Sequence, residues 1–485
     1  MQTRREQVRA YRFVTRRVVS ALLSGEPETT DLPMRRLSMA TFGSAMLAVV
    51  VFAGVGVYGL LNAGGGSPQP GTLIIARETG ARYVYLDDNL LHPVLNYASA
   101  RLILGGASPT TQTMSEHSLA NTPRGRVLGI TGAPDGLPDA AALVGRPWAL
   151  CSAPQSADLP EPVSQLLIGP APAGGTKLGK SVLVAASGRQ SGTRYLVMRS
   201  RDGRLERLKI PSQSSKVLGA LGLTTPAPVP VGEAVLDGIP AGPDLALITP
   251  PNDGKPSTRA INGAPGVLGQ VYKVDNQFYL LLDRGLVPIG DVTRRLVNGV
   301  GTQPVAATTR DAAGARLDNR FEPDGYPDAV PTPYRPTSAT PAVCASYDQT
   351  DDVDLLVYEN TPDRLALTGD LRTTQISSGV RTVDRVVVAA GHGALVRGVP
   401  GPGATAPGAT LYLVTDQGQK FPVPTTEAQT ALGYGDVAPT PVPSALLALI
   451  PTGPSLDPLD ARRAGPSPSA STTPRSAPSG SASAR

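Results

Sequence analysis

From Leu37 to Leu61 the chain reads LSMATFGSAMLAVVVFAGVGVYGLL, twenty-five positions without a charge. At 1.5 Å per residue such a helix is long enough for the ~30 Å hydrocarbon core of a bilayer. Ahead of it the pattern is amphipathic. Tyr11, Val14, Val18 and Leu22 recur at helical spacing, and Arg5, Arg9, Arg12 and Arg16 form a basic stripe. The spacing predicts a helix over 3–23 that docks through these eight side chains, either on anionic headgroups or on a cytoplasmic partner. Pro27 and Pro33 interrupt the chain before the span, and NAGGGSPQPG (62–71) reads as a flexible linker.

Beyond the linker the period changes from helical to alternating, in short runs. Tyr83-VYLDDNLLHP, Tyr279-LLLDRGLVP and Tyr412-LVTDQGQKFP each place an Asp four residues after the Tyr (Asp87, Asp283, Asp416) and end on a Pro. Tyr195-LVMRSRDGRLERLKIP has longer arms around Asp202-Gly203. Strand, Asp-containing turn, strand is the pattern of a hairpin, because Asp and Gly accept the backbone angles of tight turns. A short helical run follows each: NYASARLILG, SSKVLGALG, DVTRRLVNG and TTEAQTALG, with a capping residue in front and Gly behind. Two phrases, Ile239-PAGPDL and Ile450-PTGPSL, share one form. The prediction is a duplicated α+β, mostly β architecture of four hairpin-plus-helix units near 82–105, 194–222, 278–299 and 411–433. The Tyr residues read as packing groups and the Asp residues as turn formers.

Charge orients the span. Residues 1–36 carry eight Arg against four acidic residues, and Arg35 and Arg36 abut the apolar run. The positive-inside rule then puts the N-terminus in the cytoplasm and the bulk of the chain outside. A cleaved signal peptide is the competing reading; its n-region would be 36 residues long and its apolar stretch well beyond the usual length. The formal charge of +5 is largely a property of the first 36 residues, so the basic balance gives no support for nucleic-acid binding. Cys151 and Cys344, the only cysteines, both lie beyond the span. In an oxidising compartment one long-range disulfide is the economical reading, and two free thiols the alternative.

Candidate chemistry is sparse. His92, His117 and His392 have no metal-ligand spacing, no Cys pair suits zinc, and no metal site is expected. Asp348, Asp351, Asp352 and Asp354 lack the glycine and distal Glu of an EF-hand. GGTKLGKS does match a P-loop, with Gly174, Gly179, Lys180 and Ser181 in the places that would cradle the phosphates of ATP. A working P-loop follows a strand and opens a helix. Here GPAPAG precedes and the β-branched SVLVAASG follows, and no Walker-B strand accompanies it, so a turn leading into a strand is the reading preferred to nucleotide binding.

Several phrases resemble the EccB family, a core membrane component of actinobacterial type VII (ESX) secretion systems. QVRAYRFVTRRVVSALL (7–23) is similar to that family's cytoplasmic helix, and PRGRVLGITGAPDGLP (123–138) to its most recognisable extracytoplasmic phrase. The WALC (148–151) and VCASY (343–347) contexts look like its paired cysteines. The resemblance runs over 2–456. It implies a single-pass scaffold subunit with four repeat lobes around a central β-rich domain, closed by a disulfide and without a cofactor. It also implies assembly with an FtsK/SpoIIIE-type ATPase, a multi-spanning subunit, a further membrane subunit and a mycosin protease, together with self-association. Some members carry an ATPase label, which keeps ATP as the alternative cofactor and an extracytoplasmic nucleotide hydrolase as the alternative function; a cell-wall-binding anchor is a third. The expected organisation is a cytoplasmic segment (1–36), the span (37–61), a linker (62–72), the exterior body (73–456) and a disordered Ser/Pro/Ala-rich tail (457–485).

Overall fold

The computed structural model of the chain describes residues 4–24, 33–61 and 67–463, except for 107, 156–160, 180, 201, 212–213, 226, 300–302, 314–320, 323–324, 349–352, 367–375, 378–379 and 401–407. Two helices come first: α1 (Arg4–Ser24) and α2 (Pro33–Leu61). Within α2, Ser38–Tyr58 is long and apolar enough to cross a membrane, and none of it is buried against the rest of the chain.

Everything after the linker is built on one repeated plan. In the first lobe β1 (Thr72–Ala76), β2 (Arg82–Tyr85) and β3 (Leu91–Pro93) form an antiparallel meander, α3 (Tyr97–Leu104) crosses over, and β4 (Thr111–Met114) returns parallel to β1. A parallel return needs such a crossover, which is why a helix must intervene. Asn96 caps α3 by accepting from the Ser99 N–H, and Gly105 leaves it at φ 68°. A short helix α4 (Glu116–Leu119) follows. The chain then lays down β5 (Trp148–Pro154), β6 (Pro162–Leu167) and β7 (Thr176–Lys177).

The second lobe repeats the order with β8 (Ser181–Ala186), β9 (Arg194–Arg199), β10 (Leu205–Ile210), α5 (Ser214–Leu221) and β11 (Val229–Val231), followed by α6 (Glu233–Gly238). A hairpin, β12 (Pro256–Ile261) and β13 (Ala264–Val267), leads into the third lobe: β14 (Val271–Val274), β15 (Gln277–Leu282), β16 (Gly285–Ile289), α7 (Asp291–Asn298) and β17 (Val305–Ala306). After α8 (Thr309–Ala312) come β18 (Ala342–Tyr347), β19 (Val353–Tyr358), the small hairpin β20 (Ile376–Ser377) and β21 (Val380–Arg381), and β22 (Arg385–Val387). The fourth lobe is β23 (Gly393–Val399), β24 (Leu411–Thr415), β25 (Lys420–Val423), α9 (Thr426–Ala431) and β26 (Thr440–Pro443), then α10 (Ser444–Ala448) and α11 (Pro458–Ala461). The four lobe sheets share one strand order: third, second, first, fourth. The hairpins and helices read from the sequence are thus the middle of each unit, which begins one strand earlier and ends one strand later. One capping detail differs. Asp291 is inside the first turn of α7, after Gly290, and pairs with Arg294 and Arg295 rather than capping.

The stretches between lobes 1 and 2 and between lobes 3 and 4 build a six-stranded central sheet, β22-β6-β5-β18-β19-β7. Apolar contacts order the lobes around it. Trp148, Leu150 and Val343 of the sheet share a core with Val182 and Val197 of lobe 2 and with Ala394 and Val396 of lobe 4. Lobe 1 packs on lobe 4 through Leu73, Val84, Leu413 and Phe421. Lobe 3 packs on lobe 2 through Leu196, Leu218, Val292 and Leu296. The sequence of contacts is lobe 1, lobe 4, central sheet, lobe 2, lobe 3.

Cys151 and Cys344 face each other directly on β5 and β18 and form the disulfide. The bond spans a sequence separation of 193 residues and ties the root of the arm that carries lobes 2 and 3. At the other end, the boundary placed at 456 falls short. Asp457 caps α11 and Pro458 starts it, Ala461 is fully buried, and the Arg462 guanidinium donates to the Ile103 carbonyl at 3.0 Å. The expected tail beyond 463 lies outside the described residues.

Candidate functional site

The stretch from Gly174 to Ser181 is an edge of the central sheet. Gly174 turns the chain at φ +85°, and Gly175 lies against Tyr358, where an added Cβ would sit 2.6 Å from the ring Cζ. The Tyr358 hydroxyl donates to the Pro172 carbonyl at 2.6 Å. Thr176 and Lys177 then pair with Val357 and Leu356 of β19. The Lys177 ammonium donates to Asp354 at 2.5 Å, beside the Arg199 guanidinium at 2.9 Å on the same carboxylate. Ser181 opens β8, a strand, and is fully buried; its hydroxyl donates to the Pro331 carbonyl and its own carbonyl accepts from the Tyr334 N–H at 2.7 Å. Gly179 is exposed with open space around it, and Lys180 lies outside the described residues. A phosphate cradle needs free N–H groups at a helix start. Here the N–H groups of Thr176 and Lys177 belong to a strand, and the serine hydroxyl is engaged by the chain.

A different motif recurs with real geometric identity. In lobe 1 the Leu91 N–H donates to Pro123 O, the Gly125 N–H to Leu91 O and the Leu128 N–H to Pro93 O. In lobe 2 the same three bonds join Arg207 with Pro240 and Gly242, and Leu245 with Lys209. In lobe 4 they join Lys420 with Pro451 and Gly453, and Leu456 with Pro422. Each is a Pro-x-Gly-x-x-Leu strap laid along the outer edge of the lobe's third strand, where unpaired backbone would otherwise be exposed. The glycine is closely approached in each. A Cβ would approach the His92 ring to 2.3 Å at Gly125, Glu206 Oε2 to 2.7 Å at Gly242 and Phe421 Cε1 to 2.3 Å at Gly453. Two straps were visible as the shared I-P-x-G-P-x-L phrase. The third is hidden in PRGRVL, which lacks the second proline. Ala312-Ala-Gly-Ala-Arg-Leu317 stands eleven residues before a Pro-Asp-Gly, as Pro123 stands before Pro134, but residues 314–317 lie outside the described set.

Several ionisable groups lie at these joints. His92 is buried, with Nδ1 2.9 Å from the Arg126 carbonyl of the strap and Nε2 2.9 Å from Asp88 Oδ2. Both ring nitrogens face acceptors, so the imidazole is held between the strap and Asp88. The hydrogen bond from His92 holds the Asp88 carboxyl below its ordinary value. The Lys420 ammonium is buried and donates to the carbonyls of Leu447 at 2.6 Å and Ile450 at 2.5 Å, at the end of α10; burial draws its pKa down to about 8. Its counterpart Arg207 donates to the Ile239 carbonyl at 3.0 Å, after α6, and lies 3.4 Å from Asp237, whose own pKa burial raises. His117 and His392 are exposed. Among the described residues no three His, Cys, Asp or Glu side chains are grouped as a metal would require; Asp351 and Asp352 lie outside them.

At the other end of the chain, Tyr11, Val14, Val18 and Leu22 are 51–80% exposed on α1, and Arg5, Arg9, Arg12 and Arg16 are exposed beside them.

The model of the family described as type VII secretion system ESX-1, transport TM domain B (EccB), matches residues 1–466. The chain belongs to the EccB family. Its similarity to curated EccB proteins extends over nearly all of both chains. It is 28% identical to the ESX-3 secretion system ATPase EccB3 of Mycolicibacterium smegmatis, covering 94% of this chain and 90% of that one. It is 29% identical to the ESX-5 secretion system ATPase EccB5 of Mycobacterium marinum, covering 94% and 92%. A chain in the solved structure of an intact ESX-5 inner membrane complex superposes with a TM-score of 0.63 at 25% identity, covering 98% of both chains. The periplasmic assembly of the ESX-5 complex contains a chain with a TM-score of 0.59 at 26% identity, covering 81% of this EccB chain and 95% of that one.

Proposed function

We propose that this EccB chain is a structural scaffold of a type VII secretion membrane complex. The observation that carries the reading is the family match over 1–466, joined to a body whose unusual groups are spent on bracing lobes. In this reading α2 anchors the chain with α1 in the cytoplasm, as the arginine excess ahead of the span favours. The lobes then lie outside, where an oxidising environment suits the Cys151–Cys344 bond. Four copies of one lobe around the central sheet supply the surfaces that hold neighbouring subunits: an FtsK/SpoIIIE-type ATPase, the multi-spanning subunit, the mycosin protease and further copies of this chain. No cofactor takes part.

A second reading has one specific observation behind it: relatives are named ATPases. It assigns nucleotide to Gly174, Gly179, Lys180 and Ser181, against the strand context of Thr176–Lys177 and Ser181–Ala186. Lys180→Ala separates the two. The scaffold reading expects unchanged protein export and an unchanged amount of assembled complex. ATP turnover by the purified chain that disappears in Lys180→Ala would refute it.

A further inference from the structure

The sequence leaves α1 with two possible occupants for its apolar face, and the helix itself favours one. At 100° per residue, Val8, Tyr11, Val14, Val18, Val19 and Leu22 span an arc of about 140° that also holds Gln7, Thr15 and, at the first turn, Arg4, and Arg12, Arg5, Arg16 and Arg9 fill the adjoining arc of about 60°. Exposure along the apolar arc runs from 39% at Val19 to 80% at Leu22. Ser20, the one buried residue among those described on α1, lies on the side opposite Tyr11, so the apolar arc is not the face used for packing. The helix holds six Arg and a single acidic residue, Glu6.

The tether decides what this face meets. Residues 25–32 separate α1 from α2, and eight residues reach at most about 29 Å when fully extended. The apolar arc is therefore held within reach of the surface in which α2 is embedded, and the end nearest the tether carries Val18 and Leu22. Arginines at the border of an apolar arc suit a helix lying flat, with the guanidinium groups reaching up to phosphate while their stems cover apolar surface. We infer that α1 is an interfacial helix that lies on the anionic headgroups of the leaflet beside its own span, with Val8, Tyr11, Val14, Val18 and Leu22 inserted and Arg5, Arg9, Arg12 and Arg16 on lipid phosphates. Held so, the helix fixes the direction in which the chain's first residues leave the membrane. The inference rests on α2 being a membrane span, as in the proposed function.

The test uses the full chain in nanodiscs, where the two native cysteines are tied in the disulfide and a single introduced cysteine takes a spin label. Val14→Cys and Val18→Cys report the apolar arc, Phe13→Cys an outward position, and Phe52→Cys the middle of α2. In discs of phosphatidylcholine with one quarter phosphatidylglycerol at low salt, labels at 14 and 18 are expected to be shielded from a water-soluble nickel relaxant and open to oxygen, with the label at 13 the reverse. Arg12→Ala with Arg16→Ala should lower the ratio of docked to free helix about thirty-fold, and 0.5 M salt should act in the same direction. Equal nickel access at 13, 14 and 18 in the anionic discs overturns the inference. Shielding at 14 and 18 that appears only when a second protein is added also overturns it, in favour of a protein groove. A label at 52 that is open to nickel would instead remove the span, and with it the functional reading.

Discussion

The arm carrying lobes 2 and 3 and the arm carrying lobes 1 and 4 flank the same central sheet, yet they are fastened by different means. Lobes 2 and 3 belong to one continuous segment whose two ends run through β5 and β18, and the Cys151–Cys344 bond closes it at the root. Lobes 1 and 4 come from opposite ends of the chain that follows α2 and have no covalent tie. Their joint is packing: Phe421 and Leu413 against Leu73 and Val84, Tyr434 donating to the Pro138 carbonyl at 2.7 Å, and Arg101 to the Ala431 carbonyl at 2.9 Å. The α11 segment adds the Arg462 bond to Ile103. One arm relies on a constraint that acts mainly on the unfolded chain, the other on contacts that exist only in the folded one. The two arms should therefore fail separately.

The largest expected effect is at the disulfide. Closing a loop of this length removes enough unfolded-chain entropy to stabilise the fold by about 5 kcal/mol. Replacing both cysteines by Ser should lower the denaturant midpoint of the lobed body sharply. Hydrogen exchange should show the loss first around β5, β18 and lobes 2 and 3. Equal loss in all four lobes would show that the arms are not separate units.

Phe421→Ala attacks the other arm. The side chain is fully buried between lobes 1 and 4, and removing it should cost about 3–5 kcal/mol. Exchange protection should fall in β1–β3 and β23–β25 and persist in lobes 2 and 3. Loss spread evenly over both arms would break the comparison from this side.

The straps sharpen it at a smaller scale. Gly125→Ala drives a methyl into the His92 ring, which two hydrogen bonds at 2.9 Å hold in place, so about 1–3 kcal/mol of destabilisation is expected. Gly242→Ala meets only the far oxygen of the Glu206 side chain, an atom without a hydrogen-bond partner, which can swing aside. A thermal melt should therefore separate Gly125→Ala from Gly242→Ala, with the lobe 1 variant the less stable. Equal shifts would mean that the His92 ring yields to the added methyl as easily as the Glu206 side chain does.

The same contrast between local and distant causes explains what could be read from the sequence. Hairpins and helices were legible because Asp87, Asp202-Gly203, Asn96 and Thr425 act on neighbours within a few residues. The span was legible because it needs no partner from the fold. The fourth strands were not: VPV and VA are too short to show alternation, and they are strands only because a crossover brings them beside the first. The third strap escaped because its recurring element is a set of backbone bonds that tolerates Arg126 where the other two carry Pro243 and Pro454. The P-loop match shows the opposite case. Its glycines are a true local pattern, but Gly175 answers to Tyr358, almost two hundred residues away in the chain. The continuation of the described fold as far as Arg463 was signalled by Asp457-Pro458, a cap and first-turn pair that composition masked.

The smallest effect concerns how lobe 4 holds its strap and its helix end. In the folded chain burial draws Lys420 down to about 8, below the ordinary lysine value of 10.5. Between those two values the unfolded chain binds a proton that the folded chain has released. Stability should therefore rise with pH across this window, with the full gain present above 10.5 and lost as pH falls through 8. Lys420→Met removes the titrating group, so the slope of unfolding free energy between pH 8 and 10 should flatten in lobe 4 while the arm of lobes 2 and 3 is unchanged. The two carbonyls that accept from the ammonium, Leu447 and Ile450, stabilise its charged form and oppose the burial. If they win, the wild-type slope will already be flat and Lys420→Met will instead lower stability at every pH, because two helix-end carbonyls lose their donor. The sign of the slope thus decides whether lobe 4 is braced by a charge or merely contains one.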